Sequence, residues 1–321
     1  MGFIGSNFIK YVLGIHDDVE IINLDALSYG SSPVNLADLK DDPRYRFVHG
    51  DICERELVRR LARDIDVIVN FAAETHVDRS ISNPGAFFRS NTLGTFTLLE
   101  AARVADVSFV QVSTDEVYGT APPGVSFSED SILKPSSPYS ASKAAADMFV
   151  LAYYRTYGLR AMITRCSNNF GPYQFPEKLI PKTIIRALKN LPIPVYGSGR
   201  QVRDWIYVRD HCEAIDLVIR RGRPGEIYNI SSGNEVEVLR VVVCLIFVVV
   251  LFILWFCLVL VVLLLVCGVF VIVLLRFLLS LCLMGLGVWM LVVLWLVLVA
   301  KFLVLVLCLV LMLLPLLYMA P

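Results

Sequence analysis

After Glu237 the sequence contains no acidic residue, and residues 241–321 include no Asp, Glu, Asn, Gln, His or Thr at all. Carboxylates, imidazoles and side-chain amides are thus missing from the last quarter, which excludes it as a source of carboxylate or histidine chemistry. Beyond Leu239 only Arg240, Arg276 and Lys301 carry charge. The preceding residues hold all 29 acidic side chains against 26 basic ones, a mildly acidic balance that leaves no basic footprint for nucleic acid. Cysteine is sparse there too. Cys53, Cys166 and Cys212 have neither metal-ligand nor disulfide-framework spacing, and read as reduced thiols, so no metal is expected. No charged stretch followed by an apolar run opens the chain, which argues against a signal peptide.

What is present is a regular alternation. Val19–Leu24, Tyr45–Val48, Val67–Phe71, Ser108–Val112 and Ala161–Thr164 are short apolar runs of the kind that form buried strands. Between them, Glu54–Arg63, Asn91–Ala105 and Ser140–Tyr157 have helical periodicity. Strands alternating with helices predict an α/β fold, a Rossmann-type doubly wound parallel sheet. Past residue 170 Pro, Gly and Tyr become frequent, which suits a smaller, incomplete substrate lobe. The expected division is a nucleotide-binding domain over 1–165, a partial substrate lobe over 166–239 and an anomalous hydrophobic tail over 240–321.

The start reads Met1-Gly2-Phe3-Ile4-Gly5, then a helical stretch. Glycines at a helix N-terminus let backbone N–H groups approach a pyrophosphate, so Gly2, Phe3, Ile4 and Gly5 are candidate dinucleotide contacts. Asp25 ends a predicted strand 20 residues beyond Gly5, where an acidic residue holds an adenosine ribose and disfavours a 2′-phosphate. Asp51-Ile52 and Phe71-Ala72-Ala73 follow the next two strands. Each feature alone is an ordinary turn, but their order at successive strand ends selects NAD as the cofactor. A first strand before Gly2 is expected and is absent from the sequence.

The run Ser108–Val112 leads into Ser113-Thr114-Asp115-Glu116-Val117-Tyr118-Gly119, and Tyr139-Ser-Ala-Ser-Lys143 opens a later helix. Tyr139 and Lys143 are i and i+4 on one helical face. A lysine ammonium beside a phenol is expected to lower its pKa, making Tyr139 a base, with Thr114 nearby. Asp115 and Glu116 follow a buried strand at the sheet edge that binds ligands in α/β folds. Two carboxyls in different surroundings can divide acid and base duties, as elimination of water from a sugar requires.

In this order the residues resemble the extended short-chain dehydrogenase/reductase superfamily, and within it the dTDP-glucose 4,6-dehydratase family. The likeness covers about residues 2–237 and rests on six stretches: Phe71–Ser80, Ser113–Gly119, Tyr139–Lys143, Arg165–Tyr173, Pro176–Pro181 and Val202–Val208. It implies that Tyr139, with Thr114 and Lys143, takes the C4 hydroxyl proton while hydride passes to NAD, that Glu116 removes the C5 proton, and that Asp115 protonates the departing C6 hydroxyl. The hydride then returns to C6. The resemblance adds Ser90 and Asn169 as cofactor contacts, together with Tyr139 and Lys143. It adds Thr75, Asn168, Lys178, Leu179, Tyr196 in the Pro194–Tyr196 segment, and Arg203 as contacts to a nucleotide-diphospho-sugar. It also implies a cytoplasmic homodimer in the intact family member. A sugar-nucleotide 4-epimerase is the alternative enzyme, disfavoured by Asp115-Glu116, where epimerases usually carry small residues.

Two accounts of the tail compete. Val241–Leu275, Phe277–Ala300 and Phe302–Tyr318 are long enough to cross a bilayer or nearly so, which would make the chain a membrane-tethered nucleotide-binding module. Yet Phe, Leu, Ile, Met and Val share uracil at the middle codon position, and polar loops are almost missing. A frameshifted segment is the expectation, and with it a chain that is inactive and insoluble as written.

Overall fold

The computed structural model describes residues 1–122 and 124–283. Helix α1 (Phe3–Ile15) is followed by β1 (Ile21–Asp25), β2 (Tyr45–His49), α2 (Arg55–Leu61) and β3 (Val67–Asn70). Two short helices, α3 (Val77–Ser82) and α4 (Pro84–Phe87), run through a π turn at Phe88–Leu93 into α5 (Gly94–Ala105). Then come β4 (Ser108–Thr114), a 3-10 turn at Asp115–Tyr118, α6 (Pro138–Tyr157), β5 (Ala161–Cys166) and β6 (Asn168–Phe170). Helix α7 (Leu179–Leu188), β7 (Val202–Tyr207), α8 (Val208–Arg221), β8 (Ile227–Ile230), β9 (Glu235–Glu237) and α9 (Val238–Leu283) complete the described chain.

The five predicted strands all form, and they pair in parallel as an α/β pattern demands. They do so in more than one ladder. β1 pairs with β2, a four-stranded sheet runs β3-β4-β5-β8, and β6-β7-β9 makes a third ladder whose last pair is antiparallel. β5 is buried at all six positions, which is why Ala161–Cys166 shows no polar alternation. One sheet face packs Leu98, Leu99 and Ala102 of α5 and Val150 of α6 against Phe109 and Ile163. Another core joins Phe8 and Val12 of α1 to Val112, Ile206, Cys212 and Ile215.

Local chemistry sets the ends of α6, the helix that carries Tyr139. Ser137 accepts from the Ser140 backbone, Ser140 reaches back to the Ser137 N–H, and Pro138 fills the first helical position. Gly158 closes the helix in the left-handed region at φ 69°. The helix expected from Asn91 instead opens as a π turn before Gly94, because Thr95 and Thr97 donate their hydroxyls to the Asn91 and Leu93 carbonyls and bring buried polar groups into that turn.

Two compact units are distinguished. Met1–Pro181 with Val195–Val241 form the first, and Lys182–Pro194 with the chain from Val242 form the second. Within the described residues one helix is long and apolar enough to cross a membrane: the 40-residue span Val238–Phe277 of α9 contains an 18-residue window with a mean hydropathy of 3.6 and no buried residue. At 1.5 Å per residue it is about 60 Å long, roughly twice a bilayer's hydrocarbon thickness. The expected crossing segments after residue 283 lie outside the described residues.

Candidate active site

The site is built at the C-terminal end of β4. There Thr114, the last strand residue, caps the 3-10 turn: its hydroxyl accepts from the Glu116 N–H at 3.3 Å and lies 3.3 Å from Asp115 Oδ1. The cap fixes both carboxyls at the mouth of the sheet. Gly119 ends the turn at φ 84°, where a Cβ would stand 2.2 Å from the Lys134 carbonyl oxygen, so no larger residue fits without moving the strand-end loop.

Burial separates the two carboxyls. Asp115 is pushed up to about 6, first by desolvation and then by the charge of Glu116, with Thr114 and Arg203 acting against both. Glu116 is also raised by burial, but Arg203 and Lys178 oppose the rise. The pair therefore contains one carboxyl that keeps its proton to a higher pH than an ordinary aspartate and one with two cations in its field. Lys178 is itself lowered by burial, against Glu177 and Glu116, and donates to the Thr75 carbonyl at 3.2 Å.

Tyr139 is 9% exposed and its ring meets Phe87 edge-on, with centroids 6.3 Å apart. Lys143 is 3% exposed and donates to the Val112 carbonyl at 2.7 Å. The expectation that Lys143 lowers the phenol is corrected. Burial, followed by the Glu116 charge, pushes Tyr139 up, with the Thr114 hydroxyl working the other way. The ammonium is spent on a backbone carbonyl and is itself lowered by desolvation.

The expected cofactor residues gather at neighbouring edges. Gly2 is the N-cap of α1 and has no capping side chain, which leaves the first-turn N–H groups of Phe3, Ile4 and Gly5 for an anion. A Cβ on Gly5 would lie 3.6 Å from Phe71 Cβ, so the glycine turn abuts the end of β3, where Ala72 and Ala73 follow. Asp25 ends β1; its carboxylate pairs with the Met1 ammonium and accepts from the Leu27 N–H at 2.7 Å. Asp51 accepts from Arg89 at 2.8 Å and from the Cys53 N–H at 2.8 Å, while Ile52 is buried in the core. Ser90 sits half-buried in the π turn. Asn169, on β6, is 9% exposed and paired with His211 Nδ1 at 2.8 Å. An uncapped helix N-terminus, a carboxylate at the end of β1 and three strand ends beside them fit a dinucleotide.

Among the expected substrate residues, Thr75 is exposed, Asn168 opens β6, and Leu179 opens α7. Arg203 is exposed on β7, and its charge reaches Asp115 and Glu116. Tyr196 is 62% exposed, and its carbonyl accepts from the Gly199 N–H and the Gln201 side chain.

No sequence motif points to the polar layer beneath the site. Asn91, 1% exposed, accepts from the Glu74 N–H at 2.8 Å and donates to the Glu74 carbonyl and to Ser142 Oγ; Ser142 donates to the Tyr139 carbonyl. Asn70 ties Thr95 to Gln111 in the same layer. The one trace of it in the sequence is a run of polar residues, Ser90-Asn91-Thr92, set into an otherwise apolar helical pattern.

Among the described residues no group of three or more His, Cys, Asp or Glu could hold a metal. The family model described as GDP-mannose 4,6 dehydratase matches residues 1–255. The low-salt glycan biosynthesis protein Agl12 of Haloferax volcanii is 56% identical over 237 residues, covering 74% of this chain and 76% of that protein. A dTDP-glucose 4,6-dehydratase of Xanthomonas campestris is 49% identical over 253 residues, 75% of this chain and 72% of that protein. The crystal structure of DesIV, a dTDP-glucose 4,6-dehydratase from Streptomyces venezuelae with NAD and TYD bound, superposes with a TM-score of 0.74 at 49% identity, covering 76% of this chain and 77% of that one.

Proposed function

The chain belongs to the GDP-mannose 4,6 dehydratase family, and from that premise we propose that it is an NAD-dependent lyase that converts dTDP-glucose into the 4-keto-6-deoxy sugar. The observation that carries this reading is the carboxyl pair on the Thr114-capped turn, one member pushed up to about 6 and the other faced by two cations. When bound, NAD accepts hydride from C4 and returns it to C6. The chain's own residues handle the protons. Tyr139, beside Thr114, takes the C4 hydroxyl proton in its ionised form, which burial makes scarce at rest; Glu116 takes the C5 proton once C4 is a ketone; Asp115 gives a proton to the C6 oxygen as water leaves.

Gly2, Phe3, Ile4, Gly5, Asp25, Asp51, Ile52, Ala72, Ala73, Ser90, Asn169, Tyr139 and Lys143 are assigned to NAD. Thr75, Asn168, Lys178, Leu179, Tyr196 and Arg203 are assigned to the sugar nucleotide. Arg203 and Lys178 are suited to a diphosphate by charge. The domain division proposed is NAD binding over 1–165 and a substrate lobe over 166–239, followed by the apolar tail.

The catalytic unit is assigned to the cytoplasm, as a homodimer. Exposed apolar side chains on α5 and α6, Val104, Met148 and Tyr157, support the second point. The test, which also decides the expectation that the chain is inactive as written, is to incubate the chain, solubilised in detergent, with dTDP-glucose and NAD in deuterated water. The expected product is a 4-keto-6-deoxy sugar nucleotide that absorbs in alkali and carries deuterium at C5. A C4 epimer as the product would overturn the dehydratase assignment.

A further inference from the structure

Beneath the assigned site lies a row of charges that the reaction does not use. Asp147 is one helical turn past Lys143 on α6 and has no exposure at all. Its Oδ2 accepts from Arg165 Nε at 2.9 Å, and Arg165, on β5, is 2% exposed. Arg165 also donates to the Tyr118 hydroxyl at 2.9 Å and lies over that ring at 4.9 Å, and Tyr118 donates on to Asn229 Oδ1 at 2.8 Å. Three buried charges therefore stand in sequence: Lys143 positive, Asp147 negative, Arg165 positive.

A buried charge is retained only where it is paired and hydrogen-bonded. Arg165 has a second outlet for its charge in Tyr118, and it takes only one oxygen of Asp147. The buried Ser113 hydroxyl, next in sequence to the carbonyl that holds Lys143, is the other group that favours the charged form of this carboxyl by hydrogen bonding. Lys143 for its part donates to Val112, a neutral acceptor.

We propose that Asp147 is the positioning residue of Lys143, its Arg165-locked carboxylate being the buried counter-charge that keeps the ammonium on the Val112 carbonyl at the floor of the site. The part this plays in turnover rests on the dehydratase reading; the placement of charge does not.

Other groups do not replace Asp147. Cys166, on β5, is held as a thiol, pushed up to about 12 by burial. Asp115 and Glu116 on the turn face Arg203, and Tyr139 is raised by burial and stays neutral. On α5, Glu100 is taken by Arg103 and Tyr153, and Arg89 of the π turn is taken by Asp51. On α3, Asp78 and Arg79 are exposed. Asp147 and Cys166 are the two groups that favour the charged form of Lys143 against its desolvation.

The experiment reads the lysine directly. The chain has eight lysines, few enough to follow each Cε resonance by NMR in full-length protein labelled with carbon-13 lysine and held in detergent. Lys143→Arg assigns the signal. In Asp147→Asn the Lys143 titration midpoint is expected to fall by one pH unit or more, and Asp147→Glu to recover part of that change. In Arg165→Gln, where Lys143 becomes the main cation for Asp147, the midpoint should rise. These opposite movements are not produced by loosened packing, and either folded variant decides the matter: a Lys143 midpoint unchanged from wild type overturns the proposal. Turnover is scored separately. The alkaline limb of kcat/KM should move with the midpoint, whereas failure of the wild-type chain to release 4-keto product would count against the dehydratase reading alone.

Discussion

Replacing Asp115 by Asn should make the protein more stable while slowing loss of water. The carboxyl sits near 6 instead of the ordinary 3.8 because burial disfavours its charge and Glu116 adds repulsion. A carboxyl raised on folding binds its proton more tightly in the native state. Its stabilising contribution is then complete below the unfolded value, near pH 4, and is lost as pH rises through about 6. A rise from 3.8 to about 6 corresponds to about 3 kcal/mol of native-state cost above that window. Asn keeps the shape and removes the charge, so wild type and variant should match closely below pH 4 and separate across pH 4–6. Above pH 6 the variant should lead by up to about 3 kcal/mol, which for a unit of this size is roughly 6–12 °C in Tm. Thermal melts followed by circular dichroism at a series of pH values supply the measurement. A gap that is absent at pH 7.5, or equally large at pH 4, would refute the claim that burial of this carboxyl is a cost to the fold.

Glu116→Gln should abolish deuterium incorporation at C5 while C4 oxidation, seen as nicotinamide absorbance, persists; undiminished exchange would show that another group is the base. Asp25→Asn should narrow the preference for NAD over NADP, because the carboxylate ending β1 repels a 2′-phosphate, and paired affinity measurements on wild type and variant test it. Gly119→Ala should cost roughly 2–4 kcal/mol, since φ 84° and a 2.2 Å approach to Lys134 leave no room; a melt within 1 °C of wild type would show that the turn relaxes freely. Ending the chain after Val241 should shift the protein from the detergent-requiring fraction to the soluble one, because α9 exposes side chains such as Trp255, Leu264 and Phe277 along its length; equal partitioning of the two forms in a sedimentation assay would count against this.

Much of the proposed site is readable in the sequence because its residues sit at strand ends, where periodicity breaks. Thr114, Asp115 and Glu116 follow an apolar run, and Asp25 and Ala72-Ala73 do the same. Tyr139 and Lys143 announce themselves by i, i+4 spacing within a helix. The electrostatic sign at Tyr139 was not legible, because it depends on where the Lys143 ammonium points, and Val112 O lies 31 residues away in sequence. Asp147 and Arg165 were equally hidden. One looks like a solvated helix charge and the other like a strand residue, and only the packing of α6 on β5 shows that neither reaches water. The split of the strands into three ladders was also hidden, since local periodicity predicts strands but not their partners.

The costs found around β4 share one cause. Asp115, Tyr139, Lys143 and Asp147 are all driven away from their charged forms by desolvation, and each would be easier to bury as an apolar residue. The same dryness divides the carboxyls of the turn into a proton donor and a proton acceptor, since in water both would ionise near 4. A fold that hydrated this strand end would gain stability and lose the division. Stability and dehydration should therefore move in opposite directions across substitutions at Asp115, whereas at Gly119 and Ser137, which only hold the backbone, they should fall together. Measuring both quantities over these three positions separates a site strained by its chemistry from one that is merely fragile.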